Sequence, residues 1–123
     1  MIRGIGNDLI EIERVKRACQ SEAFLRRVYT VQERDCFRGR PASLAGNFAV
    51  KEAVAKLLGT GFRGFGPSQI EVLRDESGRP FVNLFGRAEE LRRELGIETI
   101  WVSISHSREM ASAVAVGEGR AGE

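Results

Sequence analysis

The chain has 123 residues, a length that suits one domain with a single modest hydrophobic core. Its composition, 42% hydrophobic and 29% charged, is that of an ordinary globular protein and excludes disordered, collagen-like and fibrous classes. The net charge of +2, from 19 basic and 17 acidic residues, does not by itself indicate a nucleic-acid-binding protein.

The cysteine and hydropathy patterns indicate a reducing compartment and no membrane segment. Cys19, Cys36 and one histidine are too few for a structural zinc site, and no CxxC pair is present. The first residues lack the basic-then-apolar order of a signal peptide, and no run of 18 apolar residues could form a membrane span. We therefore expect a cytoplasmic protein whose thiols are both reduced.

Hydrophobic periodicity predicts one strand and four helices in the first half of the chain. The strand covers residues 2–9 and is expected to end at Asp8. The four helices are predicted at 11–19, at 21–28, from Thr30 onward and at 42–58. The third begins with a capping-box pattern, because Glu33 follows Thr30 by three residues. The fourth ends where Gly59 occupies the position of a C-cap glycine.

The second half predicts mainly strands, after a glycine-rich loop at 60–68. The strands are expected at 70–74, 80–84, 99–105 and 111–116. A turn at 75–78 makes the first two a hairpin, and a polar helix at 86–95 separates the two pairs. The small, polar tail after Gly117 is expected to fray. The whole chain, 1–123, is predicted to be one α+β domain with helices packed on a small antiparallel sheet.

The first candidate for chemistry is GIGND at residues 4–8. Glycines allow another group to approach the backbone closely, and Asp8 at a strand end could hold Mg²⁺, which prefers oxygen ligands and keeps several waters. The alternative is a turn in which Asp8 caps the following helix. Taken alone, the stretch favours the turn.

The second candidate is FAVKEAVAKLLGTG at residues 48–61. Glu52 and Lys56 share a helix face, and Lys51 lies about 100° around the helix from Glu52. The amides and hydroxyl of the Gly-Thr-Gly at 59–61 could cradle a phosphate, with both lysines adding charge to offset the unfavourable helix dipole. The alternative is a surface ion pair between Glu52 and Lys56, worth roughly a few tenths of a kcal/mol.

The third candidate is SISHS at residues 103–107, where the only histidine follows the strongest predicted strand. Ser103 and Ser105 share one strand face, and His106 points to the other face unless the strand ends before it. A ligand-binding histidine and a turn histidine without a role are both compatible with this position. A Ser-His-Asp hydrolase that uses Asp8 is disfavoured, because adjacent Ser and His are badly placed to bond each other and no GxSxG is present.

The three stretches, in this order, resemble the holo-[acyl-carrier-protein] synthase family of 4'-phosphopantetheinyl transferases. The matching segments span nearly the whole chain: GIGNDLIEIERV (4–15), the Thr30 to Glu33 step, FAVKEAVAKLLGTG (48–61), SGRPFVNL (77–84) and SISHSREMASAVAV (103–116). An upstream GxD, KEAxxKxxGTG and a downstream SISH form a specific combination, whereas each piece alone is weak.

The resemblance implies that coenzyme A donates its phosphopantetheine arm to a serine hydroxyl of apo acyl carrier protein, with release of adenosine 3',5'-bisphosphate. It implies three catalytic residues: Asp8 and Glu52 as ligands of one Mg²⁺, and Lys56 as the cation facing the diphosphate. The residues that it places near coenzyme A are Lys56, Gly59, Thr60, Gly61, Pro80 and His106. The base that takes the serine proton stays open between a metal-bound water and Glu52 acting through a water.

The resemblance also implies a homotrimer with active sites between subunits, where Asp8 and Glu52 come from one subunit and His106 from its neighbour. Carrier proteins are small and acidic, which suits the basic residues between 14 and 40. The implied docking residues are Arg14, Lys16 and Arg17. Arg14 is the first candidate because a guanidinium pairs bidentately with carboxylates, and a solvated helix face is the alternative. Carriers of fatty-acid synthesis are the default expectation, with polyketide carriers as the alternative.

One residue departs from the family pattern. Asn47 stands where the family often has an arginine, so one charge contact with coenzyme A would be missing unless Arg40 or Arg63 replaces it. This departure leaves open a catalytically weak module that binds coenzyme A or a carrier protein. A nucleic-acid-binding domain is disfavoured, because few aromatic residues of the basic segment could stack on bases: Phe24, Tyr29 and Phe37.

Overall fold

Five strands and five α-helices form residues 1–121, the part of the chain that this computed structural model describes. They are β1 Ile2–Glu11, α1 Ile12–Ala18, α2 Glu22–Val28, α3 Val31–Phe37, α4 Pro41–Leu57, a 3-10 turn Pro67–Gln69, β2 Ile70–Arg74, β3 Pro80–Leu84, α5 Gly86–Glu94, β4 Thr99–His106 and β5 Met110–Glu118. The α+β class is confirmed, and each predicted element is present: β2 and β3 have the predicted bounds, and the ends of the other elements are shifted. None of these helices combines the length and apolar composition needed to cross a bilayer.

The strands form two antiparallel sheets rather than one. β1, β5 and β4 form a three-stranded sheet in the order β1-β5-β4, and within residues 1–121 β2 pairs with β3 alone. The prediction of a single small sheet was therefore incomplete. Alternation of apolar residues shows that a strand has a buried face, but it does not identify the neighbouring strand.

Helix α4 lies against β1 and β5 at the centre of the core, and its contact with β1 depends on glycine. A Cβ atom added at Gly6 would lie 1.9 Å from the carbonyl oxygen of Ala53, and one at Gly4 would lie 3.0 Å from that of Leu57. A side chain at Gly6 would force the two elements apart, whereas one at Gly4 would require a shift of only a few tenths of an ångström. The close approach predicted from GIGND is thus confirmed, and the approaching element is α4.

The strand β1 does not end at Asp8 but continues to Glu11, and Asp8 pairs with Ala113 inside the sheet. The predicted strand end is therefore wrong, because the ladder with β5 extends the strand. The helix-cap alternative is also wrong, since Glu11 occupies the N-cap position of α1. Asp8 lies on the same face of β1 as Gly4 and Gly6, which is the face toward α4.

The fraying expected after Gly117 is not found up to Arg120. β5 continues to Glu118, the Gly119 N–H donates to the Met1 carbonyl oxygen at 2.9 Å, and Arg3 Nη2 donates to the Arg120 carbonyl oxygen at 2.7 Å. Partners from the first residues of the chain therefore order this segment. Residues 122 and 123 of the predicted tail lie outside the described residues.

Two predictions about helix ends are confirmed. At α3, Thr30 Oγ1 accepts from the Glu33 N–H at 3.2 Å, and Glu33 Oε1 accepts from the Thr30 N–H at 3.1 Å. At the end of α4, Gly59 adopts a positive φ of 84° directly after the C-cap residue Leu58. Both features depend on residues close in sequence, which is why the sequence predicts them.

Candidate active site

Asp8, Glu52 and Lys56 meet where β1 crosses α4. Lys56 Nζ lies 3.2 Å from Asp8 Oδ1 and donates to the Asn7 carbonyl oxygen at 2.9 Å. Glu52, one turn earlier on the same helix, is half-buried. Burial raises the pKa of Glu52, the Asp8 charge raises it further, and Lys56 opposes both effects. Lys56 of α4 thus pairs with Asp8 of β1. The alternative predicted from the sequence was a surface ion pair between Glu52 and Lys56 within the helix.

The chemistry of this pair of carboxylates fits a hard divalent cation shared with a substrate. Asp8 and Glu52 repel each other, and a cation between them would remove that repulsion. Within residues 1–121 no three His, Cys, Asp or Glu side chains gather as a metal site, so protein ligands alone would not complete the coordination. Mg²⁺ is commonly bound in this way, through one or two carboxylates plus waters and substrate phosphates.

The Gly-Thr-Gly turn directly follows these residues. The Gly59 N–H donates to the Lys56 carbonyl oxygen at 2.9 Å, and the Gly61 N–H donates to that of Ala55 at 3.1 Å. Two of the three amides that could have cradled a phosphate therefore terminate α4 instead. No atom lies within 4 Å of a Cβ added at Gly59 or Gly61, so the surface beside them is open. The nucleotide contact of Gly59, Thr60 and Gly61 stays a prediction.

Lys51 points into the protein and not toward the phosphate site. Its Nζ donates to Glu33 Oε1 at 2.7 Å, to the Pro67 carbonyl oxygen at 3.2 Å and to the Ile70 carbonyl oxygen, and the side chain is fully buried. Burial lowers the pKa of Lys51, against the opposing effect of Glu33. The prediction that Lys51 adds charge to a phosphate is wrong, because the rotation of about 100° from Glu52 places it on the core face of α4.

Pro80 and His106 line a cleft away from the carboxylate pair, which we call the hairpin cleft. Its walls are Ser43 of α4, Arg74 and Pro80 of the β2–β3 hairpin, and Ile104 and His106 of β4. Asp8, Glu52 and Lys56 are not among its lining residues. The residues implied to contact coenzyme A are therefore divided between two places on one subunit.

Two arginines add positive charge beside the hairpin cleft. The guanidinium carbons of Arg74 and Arg40 lie 5.0 and 5.7 Å from the centroid of the Phe37 ring. Burial lowers the pKa of Arg74, the Glu33 carboxylate opposes this effect, and the Arg40 charge lowers the pKa further. Sequence reasoning named Arg40 and missed Arg74. The signal for Arg74 was its place in the predicted hairpin, where it pairs in register with Pro80.

Arg14, Lys16 and Arg17 are all exposed on α1. Arg14 borders a cleft with an apolar lining, formed by Ile10, Val15, Ala18, Phe24 and Phe48. Elsewhere in the basic segment charge is partly neutralised, since Glu22 pairs with both Arg26 and Arg38. Part of the basic surface predicted over 14–40 is therefore neutralised on α2 and at the end of α3, whereas Arg14, Lys16 and Arg17 stay exposed on α1.

The sequence profile of the 4'-phosphopantetheinyl transferase superfamily matches residues 4–114, a span that contains the carboxylate pair, the Gly-Thr-Gly turn and the hairpin cleft. The chain belongs to the holo-[acyl-carrier-protein] synthase family of this superfamily. The resemblance drawn from the three motifs is thereby confirmed, and the chain is a 4'-phosphopantetheinyl transferase.

Individual members of the family are similar over their full length. A holo-[acyl-carrier-protein] synthase of Lachnoclostridium phytofermentans is 52% identical over 118 residues, 96% of this chain and 97% of the relative. The crystal structure of the Neisseria meningitidis synthase has a TM-score of 0.86 at 33% identity and covers 96% of this chain and 99% of its own. The structure of the Bacillus anthracis synthase, in complex with CoA (3',5'-ADP), has a TM-score of 0.81 at 33% identity. It covers 98% of this chain and 99% of its own.

Proposed function

We propose that this transferase moves the 4'-phosphopantetheine arm of coenzyme A to a serine hydroxyl of apo acyl carrier protein. The products are holo acyl carrier protein and adenosine 3',5'-bisphosphate, and the reaction depends on Mg²⁺. The observation that carries the proposal is the convergence of Asp8, Glu52 and Lys56 at the β1–α4 crossing. Coenzyme A bound to the similar Bacillus anthracis synthase supports the choice of donor.

In this reaction the serine oxygen bonds to the phosphorus of the phosphopantetheine arm, and the bond from that phosphorus to the bridging oxygen of the diphosphate breaks. A base takes the serine proton, and the bisphosphate leaves with the bond electrons. Negative charge develops on the diphosphate oxygens, so positioning and electrostatics dominate catalysis. Lys56, whose side chain is half-exposed, can turn from Asp8 to the leaving group. Asp8 and Glu52 would hold Mg²⁺, which neutralises diphosphate charge when bound.

We infer that the active sites lie between the subunits of a homotrimer. The outer face of the three-stranded sheet, opposite α4, exposes large apolar side chains: Ile5 at 67%, Leu9 at 64%, Trp101 at 53% and Val114 at 37%. A sheet face of this kind requires cover, which further copies of the chain would provide. A shared site would also join His106 of one subunit to Asp8 of another. Sedimentation equilibrium that finds only monomer would contradict this.

Intact-mass spectrometry tests the function directly. Apo acyl carrier protein incubated with this protein, coenzyme A and Mg²⁺ is expected to gain the mass of one phosphopantetheine, and EDTA is expected to prevent the gain. Carriers of fatty-acid and polyketide synthesis are tested side by side. Binding of coenzyme A without a mass gain on any carrier would favour the binding module. That alternative has lost its support, because Asn47 is buried and bonded inside the protein.

We predict that Arg74→Ala raises the KM for coenzyme A by about 10- to 100-fold and changes the KM for 3'-dephospho-coenzyme A much less. Arg74 faces the hairpin cleft, where a guanidinium can bind the phosphate monoester through charge-assisted hydrogen bonds worth about 1.5–3 kcal/mol. Steady-state kinetics with both donors gives the comparison. Arg93→Ala, at an exposed position of α5 away from the hairpin cleft, is the matched control. An equal loss with both donors would contradict the assignment.

We predict that Arg14→Glu raises the KM for the carrier protein by about 10-fold or more and leaves the KM for coenzyme A unchanged. An acidic helix of the carrier protein could place its carboxylates on the exposed Arg14 guanidinium and its apolar side chains in the neighbouring apolar cleft. Arg93→Glu, an exposed reversal on α5, is the control. The difference in carrier-protein KM between the Arg14→Glu and Arg93→Glu variants should decrease at high salt, because salt screens exposed charges. Identical carrier KM values for both variants would exclude α1 as the docking surface.

A further inference from the structure

Three polar side chains are fully buried between α3, α4 and β2: Glu33, Asn47 and Lys51. We call them the buried polar cluster. The Glu33 carboxylate accepts from Lys51 Nζ at 2.7 Å, from Asn47 Nδ2 at 3.1 Å and from the Thr30 N–H at 3.1 Å. None of the three lines the hairpin cleft, and the mechanism proposed above uses none of them.

The cluster satisfies the unpaired edge of β2. Backbone groups of a strand point alternately to its two edges, and the Gln69 carbonyl oxygen accepts from the Phe85 N–H on the β3 side. The carbonyl oxygens of Ile70 and Val72 therefore share the other edge. Lys51 Nζ donates to that of Ile70, and Asn47 Nδ2 donates to that of Val72 at 3.0 Å. Two side chains of α4 thus take the place of a neighbouring strand.

This edge matters because the hairpin carries one wall of the hairpin cleft. Arg74 and Pro80 belong to the hairpin, whereas Ser43 and His106 opposite them belong to α4 and β4. The hairpin is a sheet of its own, so no strand ladder fixes its distance from those elements. Apolar packing alone would allow the hairpin to shift slightly against α4. Directional hydrogen bonds to the carbonyl oxygens of Ile70 and Val72 hold it in one position.

A second contact holds the same hairpin from α3. Thr30 Oγ1 donates to Glu71 Oε2 at 2.6 Å, and Asn83 Nδ2 donates to Glu71 Oε1 at 3.1 Å. The capping-box residues Thr30 and Glu33 therefore both contribute their side chains to the attachment of the hairpin, in addition to starting the helix. Side chains from the start of α3 and from α4 thus bond to three consecutive residues of the inner strand, 70–72.

We propose that Glu33, Asn47 and Lys51 are positioning residues for coenzyme A, which hold the β2–β3 hairpin at the separation from α4 and β4 that the hairpin cleft needs to bind the donor. The inference rests on the proposed function. It also gives Asn47 a role of its own: at the position where the family often has a cation, this chain has an amide that binds β2.

The test is the double variant Lys51→Met with Glu33→Gln, which removes the charges of this ion pair together. The buried carboxylate of Glu71 keeps its hydrogen bonds from Thr30 and Asn83 in this variant. Calorimetry is expected to show a Kd for coenzyme A at least 10-fold above that of the wild type. The kcat/KM for coenzyme A should fall by a similar factor while the KM for the carrier protein stays unchanged, since α1 does not contact the hairpin cleft. Amides of residues 70–84 should exchange hydrogen faster, relative to those of β1 and β5.

Two further variants separate positioning from simple loss of stability. Ile97→Ala truncates a buried core side chain away from the cluster and should leave the Kd unchanged while the protein is folded. Asn47→Leu keeps the branched shape of the side chain, at a somewhat larger volume, and removes the hydrogen bonds of the amide. It carries the test if the double variant does not fold, with an expected rise in Kd of about threefold.

Three results would overturn the proposal. A folded double variant with the wild-type Kd and wild-type exchange of the hairpin would refute the positioning role alone. An equal rise in KM for both substrates would show a general loss of structure instead. A wild type that does not bind coenzyme A would refute the proposed function and this inference with it.

Discussion

Glu52→Gln is expected to reduce phosphopantetheine transfer by at least about 100-fold without loss of the fold. The amide keeps the shape of the side chain but removes the negative charge that would hold Mg²⁺ beside Asp8. Removing that charge also relieves the repulsion between the two carboxylates, so the stability should be unchanged or higher. Initial rates across a Mg²⁺ titration measure the effect, and Asp8→Asn should behave in the same way.

The control for this prediction is Glu90→Gln. Glu90 is an exposed residue of α5 that pairs with Arg87 at 3.2 Å, so the change is chemically identical but distant from the β1–α4 crossing. It should leave the rate and the Mg²⁺ dependence as they are in the wild type. If Glu52→Gln kept more than about a tenth of the wild-type rate, the assignment of the metal to the Asp8–Glu52 pair would be wrong.

Gly6→Ala is expected to have the second largest effect, a loss of more than about 3 kcal/mol of the free energy of unfolding. The added Cβ would lie 1.9 Å from the Ala53 carbonyl oxygen and 2.9 Å from the Leu57 amide nitrogen. Both contacts are with helix backbone, which cannot rotate away as a side chain can. Thermal and urea unfolding measure the loss. Variants that still fold should lose activity too, because β1 must move and carry Asp8 away from Glu52.

Gly66→Ala is the matched control for this substitution. Gly66 has an ordinary φ of −103°, and no atom lies within 4 Å of an added Cβ. Alanine there should be neutral, or stabilising by up to about 1 kcal/mol through the entropy of the unfolded chain. A Gly6→Ala protein with the melting temperature of the wild type would mean that α4 and β1 are farther apart than the structure shows.

Much of the local structure follows from the sequence, because its causes lie a few residues apart. The capping box joins Thr30 to Glu33, the positive φ of Gly59 ends α4, and the turn at 75–78 between the strands 70–74 and 80–84 predicts the hairpin. The combination of motifs also identified the family. In each case the signal is a spacing or a residue type that can be read directly from the chain.

The active-site residues show the limit of such reasoning. Lys51 and Lys56 belong to one motif and were expected to act on one phosphate, yet Lys56 reaches Asp8 and Lys51 reaches Glu33. Which face of α4 is buried depends on β1 and on the hairpin, and neither partner is encoded in the helix itself. The role of Arg74 was missed for the same reason, since the cleft that it lines is formed by three elements distant in sequence.

The sequence by itself determined the elements, the family and the residue types of the site, because periodicity, turn chemistry and motif spacing are local. Only the tertiary structure decided that Asp8 lies inside a strand paired with β5, and that α4 packs directly against Gly6 of that strand. It also decided that Asn47 and Lys51 donate hydrogen bonds to the free edge of β2. These contacts join residues far apart in the chain. Their partners are selected by the packing of the whole core, which no single segment specifies.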